Sequence, residues 1–321
     1  MKRSAILPVE IKLTAAIISI AAQGRTPQPM VLMRREGGGL GLPSGPFNPL
    51  SHRTFEMGLR AWVAEQTGVP LGYVEQLYTF GDRGRHAQEG DEEPHIVSVG
   101  YLALTRMGGL QELPAGAGFN PCYGFFPWED WRSGRPAIID AAIIPALRKW
   151  SARATGKANA RGLTRADRLR MLWGDEKGHF GDENVLDRYE MLYEAGLVEE
   201  ARRDGRASPL LGDIPALGQP LPFDHRRILA TALGRLRAKM KYRPVIFELM
   251  EPEFTLTALQ NAAEAISGRH LHKQNFRRFL ENTAVVEPTG QSAQRTGGRP
   301  AALYRFRREV LQERPAPGLR V

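Results

Sequence analysis

The twelve residues His270 to Glu281 (HLHKQNFRRFLE) combine cations, an amide and bulky apolar groups at helical spacing. At about 100° per residue, Leu271, Phe276, Phe279 and Leu280 fall on one arc, and Lys273, Gln274, Arg277 and Arg278 fall on the opposite one. A guanidinium can grip guanine through two hydrogen bonds, an amide can do the same for adenine, and all four side chains can reach phosphates. His272 and Asn275 fall on or beside the apolar arc and are expected to be structural. A second chemistry is suggested by Glu56 and Glu65, which the spacing of Phe55, Leu59, Trp62 and Val63 places on a helix over residues 55–66. Carboxylates along one helix face hold divalent ions that activate water. A third set joins guanidiniums to aromatic rings: Arg35, Arg53, Arg83 and Arg85 could meet phosphates, and Phe47, Tyr78 and Phe80 could stack on a purine. Taken singly, each of these reads slightly better as a surface arginine or a core aromatic.

The elements around the cationic arc give it a setting. Arg226–Lys241 and Leu256–Ser267 have helical periodicity, Thr255 can cap the second, and Gly268 provides a tight turn into the cationic helix. Two helices joined by a glycine turn are the arrangement that inserts a helix into a major groove. Ala284–Glu287 is then expected as a strand, Pro288–Pro300 as a polar hairpin tip carrying Arg295 and Arg299, and Ala302–Phe306 as the return strand. This is the pattern of a winged helix, with the tip arginines along the backbone or in the minor groove. Charge agrees: residues 225–321 hold 18 Lys and Arg against 8 Asp and Glu, whereas residues 1–224 hold 26 against 27. Basic excess confined to one region implies a polyanionic partner, duplex DNA, for that region.

The rest of the chain must position these groups. A length of 321 residues allows two cores, and 42% hydrophobic with 25% charged residues is ordinary for a soluble protein. One cysteine, Cys122, excludes an intramolecular disulfide and suits a reducing cytoplasm. Lys2 and Arg3 before Leu13–Ala22 imitate an export signal, but Glu10 and Lys12 flank a run shorter than the roughly 18 residues a membrane helix needs. With Ile11, Ile17, Ile18 and Ile20 the stretch reads as a strand, so a cytoplasmic protein without membrane attachment is expected. Strands are further expected at 29–35, 74–80 and 96–104, with a charged loop over 81–93 and a closing helix over 136–150 packed on the sheet. Residues 151–161 read as a linker, 165–173 and 183–203 as helices, and 204–222, with four Pro and three Gly, as a joint. The apolar face of the 183–203 helix (Val185, Leu186, Tyr189, Leu192, Tyr193, Leu197) requires burial on the first domain or on a second subunit.

FELMEPEFTLTALQNAAEAISGR, LHKQNFRRFLE, GGRPA and LYRF, within residues 242–307, resemble the C-terminal domain of the NrtR family, the Nudix-related transcriptional regulators of NAD metabolism. Upstream, LPSGPFNP, EQLYTFGDRGR and VSVGYLAL are similar to that family's Nudix-like ligand domain, and VLDRYEMLYEAGLVEEA brings the chain nearest to the NadQ-type branch. A working Nudix hydrolase carries Gly-x5-Glu-x7-Arg-Glu-U-x-Glu-Glu-x-Gly-U, with U aliphatic. Aligned on Gly68-Val69, the Arg-Glu pair is Ala61-Trp62, the Glu-Glu pair is Glu65-Gln66, the upstream Glu is Arg53 and the opening Gly is displaced to Gly45. One carboxylate of four survives, and a register through Glu56 restores only one more. The resemblance implies an α+β fold: a Nudix-like α/β sandwich over residues 1–150, a helical connector over 151–224, a winged helix-turn-helix over 225–310 and a flexible tail over 311–321. It implies a homodimeric repressor of NAD biosynthesis genes that binds operator DNA and senses an adenine nucleotide, NAD(H), ATP or ADP-ribose, with no catalytic cofactor. The alternative is a Nudix pyrophosphohydrolase with an appended nucleic-acid-binding domain.

Overall fold

The computed structural model describes residues 9–23, 26–36, 39–82, 95–108, 112–153, 162–174, 180–206, 214–293 and 300–311. Its centre is a mixed sheet. The apolar N-terminal run forms β1 (Val9–Gln23), which turns back through β2 (Thr26–Glu36) and pairs in parallel with β6 (His95–Leu104). With β3 (Gly39–Gly41) and β5 (Val74–Phe80) the order is β3-β2-β1-β6-β5, while β4 (Ser44–Pro46) adds to β1 and β7 (Ala117–Pro121) to β2. A central strand buried on both faces needs an unbroken apolar run rather than alternation, and Leu13, Ala15, Ala16, Ile17 and Ile18 are all fully buried. No helix among the described residues is long and apolar enough to cross a membrane.

One face of the sheet is covered by α1 (Phe55–Thr67). Thr54 caps it by accepting from the Met57 N–H at 3.2 Å, and Gly68 closes it in the left-handed region. Leu59 and Val63 pack there with Leu13, Ile17, Leu32 and Val99. The other face carries Ala16, Ile18, Val31, Met33, Leu77, Phe80, Leu102 and Leu104, and here α7 (His225–Met240) lies on β1, β5 and β6 while α8 (Leu256–Ser267) lies on β2. Thus α7, which the sequence places at the start of the DNA-binding part, is the sheet's second cover. It is buried nearly all round, by the sheet on one side and by α5 (Val185–Glu194) on another.

The segments between the sheet and α7 depart from expectation in four ways. Residues 183–203 form two helices, α5 and α6 (Glu199–Arg203), because Gly196 adopts a φ of 68° and the chain turns there. The apolar face of α5 packs on α7 within the same chain. The closing segment, which follows α2 (Cys122–Phe125), begins as a π-helical turn over Ile139–Ile143 and continues as α3 (Ile144–Ala152). Its widened turn lets the Ile144 N–H reach the Ile139 carbonyl just before Pro145, which has no N–H to give. Its principal neighbour is α4 (Arg165–Trp173) rather than the sheet. The described part of the joint, residues 214–222, is anchored rather than free. Leu217 and Leu221 are buried, the Gln219 N–H donates to the Gly124 carbonyl at 2.9 Å, and the Leu221 N–H donates to Glu200 Oε1 at 2.9 Å.

After α7 a 3-10 turn (Val245–Leu249) leads to α8, the Gly268 turn, α9 (Lys273–Thr283), and the hairpin of β8 (Val286–Ala293) and β9 (Ala301–Phe306). Phe254 adds a third rung by exchanging both backbone hydrogen bonds with Tyr304, at 2.9 and 2.8 Å. β8 runs to Ala293, farther than the strand expected from sequence, through an irregularity at Gly290.

Candidate functional site

α9 is held by a narrow seam. Phe276 and Leu280, one turn apart, are buried, whereas Leu271 and Phe279 are half-buried. Lys273, Gln274, Arg277 and Arg278 are all exposed, as the helical wheel predicts. No carboxylate among the described residues pairs with Lys273, Arg277 or Arg278. His272 and Asn275 are corrections: both are exposed. His272 sits at the extended N-cap position, and the seam is too narrow to take in Asn275, whose Oδ1 instead accepts a 3.4 Å hydrogen bond from Arg278. Arg295 and Arg299 lie outside the described residues.

On the α1 side, the positions that would carry metal-binding glutamates do structural work. Trp62 Nε1 donates to the Pro46 carbonyl at 2.8 Å and Gln66 Nε2 to the Ser44 carbonyl at 2.8 Å, so both side chains fasten α1 to β4. The indole lies flat against Gly45, where a Cβ would come within 2.4 Å of Trp62 Cδ2. Glu56 accepts from Arg60 at 3.0 Å, and Glu65 is exposed. Among the described residues, no three His, Cys, Asp or Glu side chains come together as metal ligands. Among the described residues, the side chains on and around α1 therefore do not fit the multi-ion centre of a Nudix hydrolase.

The expected nucleotide ligands are scattered. Arg83 and Arg85 lie outside the described residues. Phe80 is a correction: it is 4% exposed, in the core beneath α7, with the Arg227 guanidinium 5.1 Å from its ring. The irregularity of β5 between Gln76 and Thr79 turns both Leu77 and Phe80 towards this core, where strict alternation would separate them. Phe47 packs edge-on to Phe55 at 4.6 Å on the opposite, α1 face, so Phe47 and Phe80 cannot share one base. Tyr78 is exposed beside Arg235, 5.8 Å away. Arg35 and Arg53 are exposed, at the end of β2 and just before α1.

What the sequence hid is a buried ionic network beneath the turn that leads into α9. Glu129, Arg188 and Arg237 have no exposed side-chain surface. Arg188 donates to both Glu129 oxygens at 2.6 and 2.8 Å, and Arg237 Nη1 donates to Glu129 Oε2 at 2.6 Å. Arg237 Nε also donates to the Ile266 carbonyl at 2.8 Å, and the Tyr123 hydroxyl to the Ala265 carbonyl at 2.5 Å, satisfying the last carbonyls of α8. The Trp131 N–H donates to the Gly268 carbonyl at 2.7 Å. Gly268 has φ 71°, and a Cβ there would lie 2.3 Å from the Glu129 carbonyl oxygen, so only glycine fits this contact. Burial alone would raise the Glu129 pKa, but the two guanidiniums outweigh it and hold the carboxyl below its ordinary value. Burial pushes the Tyr123 hydroxyl up to about 12.

A helix-flanked mixed sheet bearing a winged helix defines the class by its fold: a sheet domain of Nudix-like fold joined to a winged-helix module. Residues 246–306 match the NrtR DNA-binding winged helix domain. A segment of 91 residues is 48% identical to the "ADPR responsive transcriptional repressor NtrR" of Acinetobacter baylyi, covering 28% of this chain and only 36% of that protein. The whole fold resembles Shewanella oneidensis NrtR crystallised with a 27mer DNA, with TM-score 0.57 and 20% identity over 96% of this chain and 99% of that one. It also resembles a MutT/nudix family protein from Enterococcus faecalis, with TM-score 0.52 and 15% identity over 96% and 90% of the two chains. The fold class and the NrtR resemblance read from sequence both stand.

Proposed function

We propose that this chain is a nucleotide-responsive transcriptional repressor whose winged helix binds duplex operator DNA. The observation that carries the reading is the open face of α9, with Lys273, Gln274, Arg277 and Arg278 exposed on a helix whose other side is fixed by Phe276 and Leu280. Because winged-helix operators are commonly palindromic, the working form is a twofold homodimer. ADP-ribose is the favoured effector, since the Acinetobacter relative is named as responsive to it. NAD(H) and ATP are the competitors that the NadQ-type resemblance brings, and genes of NAD biosynthesis are the regulated set. The sheet domain senses without hydrolysing: Trp62 and Gln66 are committed to the backbone of β4, leaving Glu65 without partners for a metal centre among the described residues. Such a regulator works in the cytoplasm.

The test is selection of duplexes from a random library by the full chain, then anisotropy titration of the best one with and without ligand. Coupling of about 1–3 kcal/mol should move the operator Kd by about 5–150-fold at saturating ADP-ribose, with smaller shifts for NADH and ATP. Failure to enrich any duplex refutes the reading. Incubation with ADP-ribose and Mg2+ should give no turnover; turnover abolished by Glu65→Gln would make the domain an enzyme instead.

A further inference from the structure

A cavity of about 780 Å³ opens where the sheet, α7 and the winged helix meet, and none of its lining residues belongs to α1 or α9. Its walls come from all three parts. Tyr73 and Arg106 stand at the ends of β5 and β6, Lys239 comes from the last turn of α7, and Arg243 and Phe247 precede α8. Arg305, Phe306 and Arg308 come from the far end of the wing. The charges are unbalanced, with five cations (Arg106, Lys239, Arg243, Arg305, Arg308) against Glu248 and Glu251.

Among the described residues, three of those cations have no ionic partner. Lys239 is held by Glu75 at 2.7 Å, and Arg305 by Glu287 at 2.6 Å. Arg106 reaches only the Phe247 carbonyl, at 3.4 Å, and neither Arg243 nor Arg308 has an ion pair with any described residue. The floor is aromatic: Phe247 stacks on Phe306 with centroids 4.4 Å apart and meets Phe254 at 5.7 Å. Unpaired guanidiniums around an apolar, aromatic floor suit a ligand with phosphates at one end and a flat base at the other.

We propose that this cavity is a nucleotide site, binding an adenine nucleotide that carries a diphosphate. Arg106, Arg243 and Arg308 take the phosphates, and the base lies among Tyr73, Phe247 and Phe254. A ligand here touches the sheet and the wing together, so its affinity depends on how the winged helix is seated, which is what linkage to DNA binding requires. The choice of a nucleotide rests on the regulatory reading above; the location does not.

Photolabelling of the full chain with 8-azido-ADP-ribose and 8-azido-ATP, followed by peptide mapping, tests it. Label is expected on peptides containing Tyr73, Phe247 or Phe254, and excess unlabelled nucleotide should suppress it more strongly than equimolar pyrophosphate. The variant Arg106→Glu/Arg243→Glu, whose altered side chains are exposed, should bind nucleotide at least tenfold more weakly with unchanged circular dichroism; Arg243→Gln should show a smaller loss. Label confined to residues 47–66, or affinity unchanged in the double variant, overturns the cavity site and leaves the nucleotide-responsive reading standing. Equal suppression by pyrophosphate reduces the site to one for inorganic anions and overturns the proposal. Absence of specific label anywhere overturns both.

Discussion

Helices α7 and α9 are both rich in arginine and use it in opposite ways. On α7 each guanidinium is paired with a carboxylate, Arg226 and Arg237 in the interior. Arg226 meets Glu200 at 3.2 Å, Arg227 meets Glu190 at 2.6 Å, Arg235 meets Glu75 at 3.1 Å, and Arg237 meets Glu129 at 2.6 Å. On α9, Arg277 and Arg278 face water with no carboxylate beside them among the described residues. The charge excess of residues 225–321 is therefore not all available to DNA. Part of it neutralises carboxylates of the sheet and connector, so a charge count overstates the polyanion-binding surface while locating it in the right region. An arginine's role follows from what surrounds it, and that is set by tertiary structure.

This contrast can be broken experimentally, beginning with α7. Arg237→Ala would leave Glu129 half-neutralised in the interior and strip the Ile266 carbonyl of its donor. Removing one partner of a buried ionic cluster costs about 3–5 kcal/mol, to be read from denaturant unfolding, with DNA binding lost only because the fold is. On α9 the outcome should reverse. Arg277→Ala should weaken operator binding by about 1–3 kcal/mol if it reads a base, with the unfolding midpoint unchanged. Unchanged affinity in both Arg277→Ala and Arg278→Ala would remove α9 from the recognition role.

A pH titration sharpens the α7 side. Glu129 has a folded pKa below its ordinary 4.5, so its contribution to stability is fully present above that value. It is lost as pH falls from 4.5 through the depressed folded value. Wild type should therefore lose stability more steeply with acid than Glu129→Gln does in that window, and parallel curves would deny the network its electrostatic role. The smallest effect belongs to Arg235, whose side chain is 32% exposed in its pair with Glu75. Arg235→Ala should cost no more than about 1 kcal/mol; a loss as large as that of Arg237→Ala would mean that burial does not grade these arginines.

Local signals were the legible ones. The Thr255 cap, the Gly268 turn and the cationic face of α9 follow from short-range spacing and appear as expected. Phe80 joins the core rather than a base-stacking set because an irregularity inside β5 resets the alternation, which composition does not reveal. The break at Gly196 turns on one backbone angle within a segment otherwise periodic enough for a single helix. The loss of Nudix carboxylates was readable, but the hydrogen bonds that Trp62 and Gln66 make instead reach back 16 and 22 residues. The ionic network was beyond reach, since Arg237 and Glu129 are 108 residues apart and nothing in either neighbourhood marks them as partners.

The placement of α7 and α8 on the sheet also bears on how the protein is made. Synthesis delivers the strands first, yet Ile18, Met33 and Leu102 belong to a core completed by helices that end at Met240 and Ser267. For most of translation one side of the sheet stands bare, a sticky surface of the kind chaperones attend. A fragment ending before residue 225 would keep that face of the sheet uncovered, so it is expected to aggregate or be degraded rather than persist as a free-standing, DNA-blind ligand binder.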